Sequence, residues 1–320
     1  MIFGKKKIGL ALGSGAAKGG AHIGVLRALK EAEIPIHYIA GTSIGSMIAA
    51  IFCSGQLEAF EEFVRKVDWK DFLDTFRLSF SKEGLFKDKK IYELLNRFIT
   101  LDDISKSSIP LFIIATDLAN GDEICFKRGA AVEAVRASIS IPGIFPPVKI
   151  GEHLYVDGGL VDPLPIKHLK EAGSDITIAV DLNSEVLNRR LAMLNLEALL
   201  KGSAEEGGEK IVSTNRVLAF LKKQQHNIED SVKRKLAGAV TSDDISMNVL
   251  DTLALTIDIA EKKLTEANLR KYKADFLIQP KVSNIHPFHF TQMVTGIEAG
   301  YTAAQAIIPK IKKRMESFFR

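Results

Sequence analysis

Residues 39–50 read I-A-G-T-S-I-G-S-M-I-A-A, and this segment constrains the fold of the chain more than any other. An apolar run enters a G-x-S-x-G turn at 41–45 and continues into small and apolar residues typical of a buried helix. Gly41 and Gly45 allow a strand to reverse sharply into a helix, and the strained turn exposes the hydroxyl of Ser43. The helix N-terminus that follows favours developing negative charge. The segment therefore predicts a nucleophile elbow.

Strand-like and helix-like segments alternate through the first half of the chain. Apolar runs predict strands at 8–12, 36–40, 110–115, 154–156 and 176–181, and a short partner strand at 123–127. Patterns with helical spacing lie between them, and the aromatic residues of the helical stretch 58–100 are interpreted as packing residues. The alternation predicts an α/β fold with a largely parallel sheet.

Composition changes after Asn183 and divides the chain into three predicted parts. Residues 8–183 form the core, and residues 184–249 are polar, with a glycine-rich break at 202–208. This middle part is interpreted as a helical, partly flexible insertion or cover, and a solvated helical linker is the open alternative. Residues 250–320 are expected to complete the core with a helix, a last strand at 274–279 and closing helices at 290–318.

Charge and cysteine content exclude several classes of protein. The net charge of +4 permits contact with anionic membrane surfaces but provides no concentrated basic face for nucleic acid. Cys53 and Cys125 form neither a metal motif nor a disulfide framework, which favours a reducing compartment. The N-terminus lacks the pattern of a signal peptide, and the charge-free stretch 36–57 is better explained by a strand, turn and helix than by a membrane span. A cytoplasmic location is expected, with any membrane contact peripheral to the inner face.

A glycine-rich loop follows the first predicted strand at Gly13-Ser14-Gly15-Ala16-Ala17-Lys18-Gly19. It fails the Walker A pattern, because no G-K-[ST] ends it, and its G-x-G-x-x-x-G spacing fails the dinucleotide pattern. Loops of this kind present successive backbone N–H groups to an anion, and Lys18 can hold the loop or add positive charge. An oxyanion-binding loop is therefore the favoured interpretation.

An activated serine requires a base, and the sequence offers two kinds. Five histidines follow Ser43, but none lies in a motif that would place it beside the elbow: His153, His168, His226, His286 and His289. Asp157 differs, because it ends a short apolar strand and precedes Gly158 and Gly159, which permit a tight turn. It is a candidate to accept the serine proton directly, although an ordinary D-G-G turn is the alternative.

Four motifs in this order resemble bacterial patatin-like phospholipases. They are the glycine-rich loop, the G-T-S-I-G elbow, A-S-I-S-I-P-G-I-F-P-P at 137–147 and D-G-G-L-V-D-P-L-P at 157–165. The motifs span residues 8 to about 183, and the segment I-E-A-G-Y-T-A-A at 297–304 is similar to the tail of bacterial members.

The resemblance implies a three-layer α/β/α fold, with Ser43 as the nucleophile and Asp157 as the base that also orients it. It also implies an oxyanion hole built from the backbone of the loop Gly13–Gly19, including Ser14, Gly15, Ala16, Lys18 and Gly19. Gly41, Gly45, Gly158 and Gly159 would support the two turns. Ser14 and Ala16 depart from the glycines of many members, which bears on how the site fits its substrate.

The first hypothesis is a serine acyl hydrolase that cleaves the carboxylic ester bonds of phospholipids or lysophospholipids, without metal or cofactor. The acid pairs Asp102-Asp103 and Asp243-Asp244 are interpreted as helix starts and not as a calcium loop. The alternative is a regulatory or scaffold protein that keeps the fold but turns over little. Nucleotide binding is a third, weaker alternative. Head-group preference and oligomeric state are not predicted.

Overall fold

A mixed β-sheet forms the centre of the protein. The computed structural model describes residues 6–67, 85–184, 249–285 and 290–316. Within these residues the strands are β1 (Ile8–Leu12), β2 (Tyr38–Thr42), β3 (Leu111–Asp117), β4 (Glu123–Phe126), β5 (Val148–Ile150), β6 (His153–Asp157), β7 (Ile176–Val180) and β8 (Phe276–Ile278). Their order across the sheet is β5-β6-β3-β2-β1-β7-β8, and β4 also pairs with β3.

Helices connect and cover the strands. The α-helices of the described part are α1 (Gly20–Glu31), α2 (Ile44–Cys53), α3 (Leu57–Lys66), α4 (Leu85–Phe98), α5 (Ala131–Ser138), α6 (Ile166–Glu171), α7 (Val249–Lys271) and α8 (Met293–Glu316). Short 3-10 helices lie at Ala16–Gly19, Ile104–Lys106, Gly158–Leu160 and Phe290–Gln292. None of the helices in this part of the chain is long and apolar enough to cross a membrane.

The sheet is mostly parallel, as the sequence predicts. Strands β3, β2, β1, β7 and β8 run parallel, and β4, β5 and β6 form an antiparallel arm on β3. Strand β5 was not expected, because a three-residue strand with an exposed lysine at its centre carries too short a pattern to detect.

Alternating side chains of the central strands point to two helical layers. Leu10 and Leu12 of β1 belong to a large apolar cluster with residues of α1, α2 and α8. Ala11, between them, packs on the other face with Ile166 and Leu169 of α6. Because successive strand residues face opposite sides, one strand serves both layers. The fold is therefore the expected three-layer α/β/α arrangement.

Helices α1 and α8 pack with their backbones in close contact. A Cβ atom at Gly24 would overlap the carbonyl oxygen of Ile297, and one at Gly300 would overlap that of Ala21. Each glycine thus faces the backbone of the other helix. This contact fixes the C-terminal helix against the helix that leaves the glycine-rich loop.

Most predicted elements are present, with shifted ends. Strand β2 runs to Thr42, because Gly41 and Thr42 still pair with β1 and β3. The charge-free stretch 36–57 contains β2 and the ten-residue helix α2, as the strand–turn–helix interpretation requires. Trp69, Phe72 and Phe76 of the predicted aromatic stretch lie outside the described residues, as do residues 185–248 of the predicted insertion.

Candidate active site

Ser43 occupies a strained turn between β2 and α2. Its φ and ψ angles are 55° and −127°, a combination that non-glycine residues rarely adopt. A Cβ atom at Gly41 would meet the backbone of Gly45, and one at Gly45 would overlap the carbonyl oxygen of Leu12. Both glycines of the G-x-S-x-G motif are therefore required by close backbone contacts.

The hydroxyl of Ser43 donates a hydrogen bond to Asp157. The distance from Ser43 Oγ to Asp157 Oδ2 is 2.6 Å. Asp157 Oδ1 accepts a second bond of 2.8 Å from the N–H of Gly159. Asp157 is the last residue of β6 and pairs with Ala115 of β3. The residue before Ala115, Ile114, pairs with Thr42 at the end of β2. The register of the sheet therefore brings Asp157 beside the elbow.

Burial controls the charge of this aspartate. Ser43 and Asp157 are 3% and 4% exposed. Burial raises the pKa of Asp157 to about 7, although the hydrogen bonds from Ser43 and Gly159 favour the ionised form and oppose the rise. The carboxyl can therefore lose and regain a proton near neutral pH.

Ser138 supports the backbone of the elbow from the A-S-I-S motif. The N–H of Ser43 donates to Ser138 Oγ at 2.9 Å, and Ser138 Oγ donates in turn to the carbonyl oxygen of Ile114 at 2.5 Å. Ser46 Oγ donates to the carbonyl oxygen of Ser43 at 2.7 Å. The strained turn is thus held at both its N–H and its C=O.

The glycine-rich loop lies beside the elbow, because β1 and β2 are adjacent parallel strands whose carboxyl ends share one edge of the sheet. Three of its N–H groups already have backbone acceptors: Gly13 donates to the carbonyl oxygen of Val180, Ser14 to that of Pro163 and Lys18 to that of Gly15. Gly15 and Ala16 line a pocket together with Ser43. Ala16 has a φ of 48°, so strained backbone occurs in the loop as well as in the elbow.

Lys18 and Ser14 anchor the loop through buried side chains. Lys18 Nζ donates to Asn183 Oδ1 at 2.5 Å and lies 3.9 Å from Asp258 Oδ1. Ser14 Oγ donates to Glu261 Oε2 at 2.7 Å. These contacts connect the side chain of Lys18 to Asn183 and α7, and the hydroxyl of Ser14 is directed at the same helix.

Helix α7 borders the pocket that contains Ser43. The cavity measures about 30 Å³, enough for small molecules such as water but not for an acyl chain. It is lined by Gly15, Ala16, Ser43, Ile141, Pro142, Asp157, Leu160, Ile257, Asp258 and Glu261. The last three belong to α7, so this helix forms one wall of the pocket.

The two described histidines that follow Ser43 in the sequence, His153 and His168, make their side-chain contacts away from it. His153 Nδ1 lies 2.7 Å from Asp117 Oδ2, and its side chain is 60% exposed. His168 Nε2 lies 2.7 Å from Glu123 Oε1. His226, His286 and His289 lie outside the described residues. Among the described candidates for the base, Asp157 is the residue placed in contact with Ser43.

Within the part of the chain that the structure describes, one group of side chains has ligand atoms close enough for a metal ion. Those of Glu123, Asp162 and His168 lie within 4.8 Å of one another. Glu123 already pairs with His168 and Lys167, and Asp162 accepts a bond from Asn268. Although burial lowers the pKa of His168, bonds with Cys125 and Glu123 outweigh this effect and raise the pKa to about 9, which favours an ion-pair cluster.

The acid pairs of the sequence are accounted for in part. Asp103 caps the 3-10 helix that follows it, as expected, whereas Asp243-Asp244 lies outside the described residues.

An elbow serine hydrogen-bonded to a carboxyl group on an α/β sheet is an arrangement typical of serine hydrolases. A family model described as patatin-like phospholipase matches residues 10–170, which include the glycine-rich loop, Ser43 and Asp157. The chain therefore belongs to the patatin-like phospholipase family, a family of lipid hydrolases.

Several relatives share this sequence pattern. An uncharacterized NTE family protein of Mycobacterium bovis is 30% identical over 325 residues, covering 93% of this chain and 90% of the relative. The neuropathy target esterase sws of Drosophila melanogaster is 34% identical over 188 residues, covering 56% of this chain and 13% of that protein. Lysophospholipase NTE1 of Pyricularia oryzae is 32% identical over 188 residues, covering 56% of this chain and 12% of that protein.

Sequence analysis missed the contribution of α7 to the site. Asp258 and Glu261 are buried against the glycine-rich loop, although they are separated from it by more than 200 residues in sequence. The available signal was the pattern I-D-I-A-E at 257–261, which places two acidic residues three positions apart on one face of a helix. An exposed helical face carries the same pattern, so sequence alone does not distinguish the two.

Proposed function

We propose that this protein is a serine acyl hydrolase that cleaves the carboxylic ester bonds of phospholipids or lysophospholipids through Ser43 and Asp157. The observation that carries the proposal is the 2.6 Å hydrogen bond between Ser43 Oγ and Asp157 Oδ2 at a strained elbow. Membership of a family of lipid hydrolases supports the lipid ester substrate, and the name of the Pyricularia relative suggests a lysophospholipid.

In the first step of this proposal, ionised Asp157 accepts the proton of Ser43 Oγ as that oxygen attacks the ester carbonyl carbon. The carbonyl oxygen gains negative charge, which the N–H groups of Gly15 and Ala16 and the N-terminus of α2 stabilise. When the tetrahedral intermediate collapses, the bond to the alcohol breaks, and the alcohol leaves with the proton from Asp157. An acyl group then remains on Ser43.

Water completes the reaction. Asp157 takes a proton from the water molecule while the water oxygen attacks the acyl carbon. Ser43 Oγ then recovers that proton from Asp157 as the bond between Oγ and the acyl carbon breaks. Fatty acid is released and the starting state is restored. Since only the ionised carboxyl accepts a proton, the rate is expected to rise as pH increases through about 7, the pKa of Asp157.

Intact-mass analysis after treatment with a fluorophosphonate tests the proposal without a known substrate. We expect one adduct on the wild-type protein, none on Ser43→Ala, and formation slowed by about 100-fold or more in Asp157→Asn, because a general base contributes about 10²–10⁴. Ser105→Ala is the matched control, since Ser105 is exposed and bonds only to its own turn. A lipid panel of phosphatidylcholine, lysophosphatidylcholine and simple fatty esters then identifies the substrate.

A regulatory or scaffold function is the second candidate. The observation that favours it is the small size of the pocket, whose volume of about 30 Å³ is too small for an acyl chain. The same labelling experiment separates the two functions. No adduct on folded wild-type protein, with or without lipid vesicles, would exclude the hydrolase and leave the regulatory function.

We also propose peripheral contact with an anionic membrane, supported by the net charge of +4 and the lipid substrate class. The surface expected to make this contact lies around residues 60–90 or 211–236, of which 68–84 and 211–236 lie outside the described residues. Sedimentation with vesicles of phosphatidylcholine, with and without phosphatidylglycerol, measures it. Binding that requires the anionic lipid and is lost at high salt supports this contact, and absence of binding excludes it.

A further inference from the structure

Helix α7 places a second carboxyl group beside the Ser43–Asp157 pair. Glu261 is 7% exposed and lines the same pocket as Ser43 and Asp157. Its Oε2 atom accepts hydrogen bonds from Ser14 Oγ at 2.7 Å and from Asn183 Nδ2 at 2.9 Å. The side chain therefore joins α7 to the glycine-rich loop.

The other oxygen of Glu261 is directed at the turn that holds Asp157. A Cβ atom at Gly159 would overlap Glu261 Oε1 and would lie 3.1 Å from Asp157 Oδ1. The two carboxyl groups thus lie on the same side of the Gly159 backbone. Glycine is needed at this position because a side chain would overlap the carboxyl group of Glu261.

Four ionisable groups face one another at this place: Asp157 from β6, Asp258 and Glu261 from α7, and Lys18 from the loop. Three acids and one cation cannot all be charged in a buried site without a large cost. Burial, followed by the charges of Asp157 and Asp258, raises the pKa of Glu261 to about 8, although Ser14 and Lys18 lower it. Because the charge of Asp157 disfavours ionisation of Glu261, the pair of acids keeps one proton after its first ionisation.

We propose that Glu261 is a positioning residue for the reaction of Ser43. The neutral carboxyl group of Glu261 holds the glycine-rich loop against Asp157, and ionisation of this group stops the reaction. This inference depends on the proposed function. Glu261 lines the pocket together with Gly15 and Ala16, so a negative charge on its carboxyl would face the same pocket in which the carbonyl oxygen of the substrate is proposed to gain its charge. The negative charge on Glu261 therefore opposes the stabilisation that Gly15 and Ala16 provide.

The inference predicts a bell-shaped pH dependence for the reaction of Ser43. The ascending limb follows the ionisation of Asp157 near pH 7, and the descending limb follows that of Glu261 near pH 8. Glu261→Gln keeps an acceptor for Ser14 and Asn183 but cannot ionise. The descending limb should therefore disappear in this variant, whereas the ascending limb should stay.

The measurement is the second-order rate of fluorophosphonate labelling from pH 5.5 to 9.5 in the full chain. We expect the labelling rate of the wild type to fall by about tenfold or more between its maximum and pH 9.5. The labelling rate of Glu261→Gln should fall by at most about threefold over the same interval. Glu266→Gln is the matched control, because Glu266 lies on the same helix and pairs with Lys263 at the surface. It should keep the descending limb.

A second variant tests the inference even if Glu261→Gln does not fold. The bond from Ser14 favours the ionised form of Glu261, so its loss in Ser14→Ala should move the descending limb to higher pH. A loss of packing alone lowers the rate at every pH without moving the limb. A descending limb at the wild-type pH in either folded variant would overturn the role of Glu261, whereas absence of wild-type labelling at every pH would reject the proposed function itself.

Discussion

At the scale of single residues, the site depends on backbone strain that neighbouring side chains maintain. Of the described non-glycine residues, only Ala16, Glu33 and Ser43 have a positive φ, and two of these three line the pocket. Such conformations cost about 1–3 kcal/mol each and persist when their surroundings enforce them. The bond from Ser43 N–H to Ser138 is one part of that enforcement.

Replacement of Ser138 should affect both stability and reactivity. Ser138→Ala leaves the buried N–H of Ser43 and the carbonyl oxygen of Ile114 without this partner, at a cost of about 1–3 kcal/mol in the free energy of unfolding. The loosened elbow should also slow fluorophosphonate labelling of the folded protein. Urea unfolding and labelling rates measure the two effects.

Ser140→Ala is the matched control for that experiment. Ser140 is equally buried near the same helix end, but its hydroxyl bonds to Arg136 and not to the elbow. It should lower stability and leave the labelling rate of the folded protein near the wild-type value. Equal labelling by both variants would show that Ser138 does not position Ser43.

At the scale of elements, the contact between α1 and α8 connects the C-terminal helix to the active site. Helix α1 follows directly from the 3-10 helix of the glycine-rich loop, and α8 packs on it through Gly24 and Gly300. Because backbone atoms fill the space where side chains would project, neither helix can accept a larger residue without moving. The position of the loop therefore depends on this packing.

Gly24→Ala should destabilise the protein, although alanine favours helix formation. The added methyl group would overlap the carbonyl oxygen of Ile297, and overpacking of this kind costs about 1–3 kcal/mol or more. Ala306→Val adds atoms at an exposed position of α8 and should cost less than about 1 kcal/mol. Thermal unfolding compares the two variants, and equal melting temperatures would contradict the close contact.

At the scale of the whole molecule, buried ionisable groups set how stability changes with pH. Burial raises the pKa of Asp157 to about 7 and that of Glu261 to about 8, and bonds to neighbours raise that of His168 to about 9. The folded state therefore binds these protons more tightly than the unfolded state, so stability is lost as pH rises towards these values. His22 acts oppositely, because burial lowers its pKa to about 4, and its effect is complete by about pH 6.5.

The melting temperature should consequently fall between pH 6.5 and 9. Glu261→Gln removes one of the raised pKa values, so the melting temperature of this variant should fall less over this range than that of the wild type. The difference in melting temperature between the variant and the wild type should therefore grow as pH rises. Glu266→Gln should follow the wild-type curve, because the pKa of Glu266 is lowered by Lys263 and its titration ends at acidic pH. Parallel curves for all three proteins would show that Glu261 does not change its protonation between pH 6.5 and 9.

Much of the fold and part of the site could be predicted from sequence, because those features depend on local patterns. Apolar runs predicted β1, β3 and β7, and the glycines around Ser43 predicted the elbow, since only a residue without a Cβ fits its backbone contacts. The D-G-G motif drew attention to Asp157. The order of the motifs was enough to indicate the family, and the match of the family model to residues 10–170 confirms it.

Tertiary structure alone decided which groups meet. The antiparallel register of β6 brings Asp157 within 2.6 Å of Ser43. The folded chain also provides carbonyl acceptors for the amides of Gly13 and Ser14, whereas Gly15 and Ala16 line the pocket. It also places Glu261 beside Asp157, where burial changes the protonation of both. No local pattern encodes these contacts, because hydrogen bonds and desolvation depend on distances between residues that are remote in the chain.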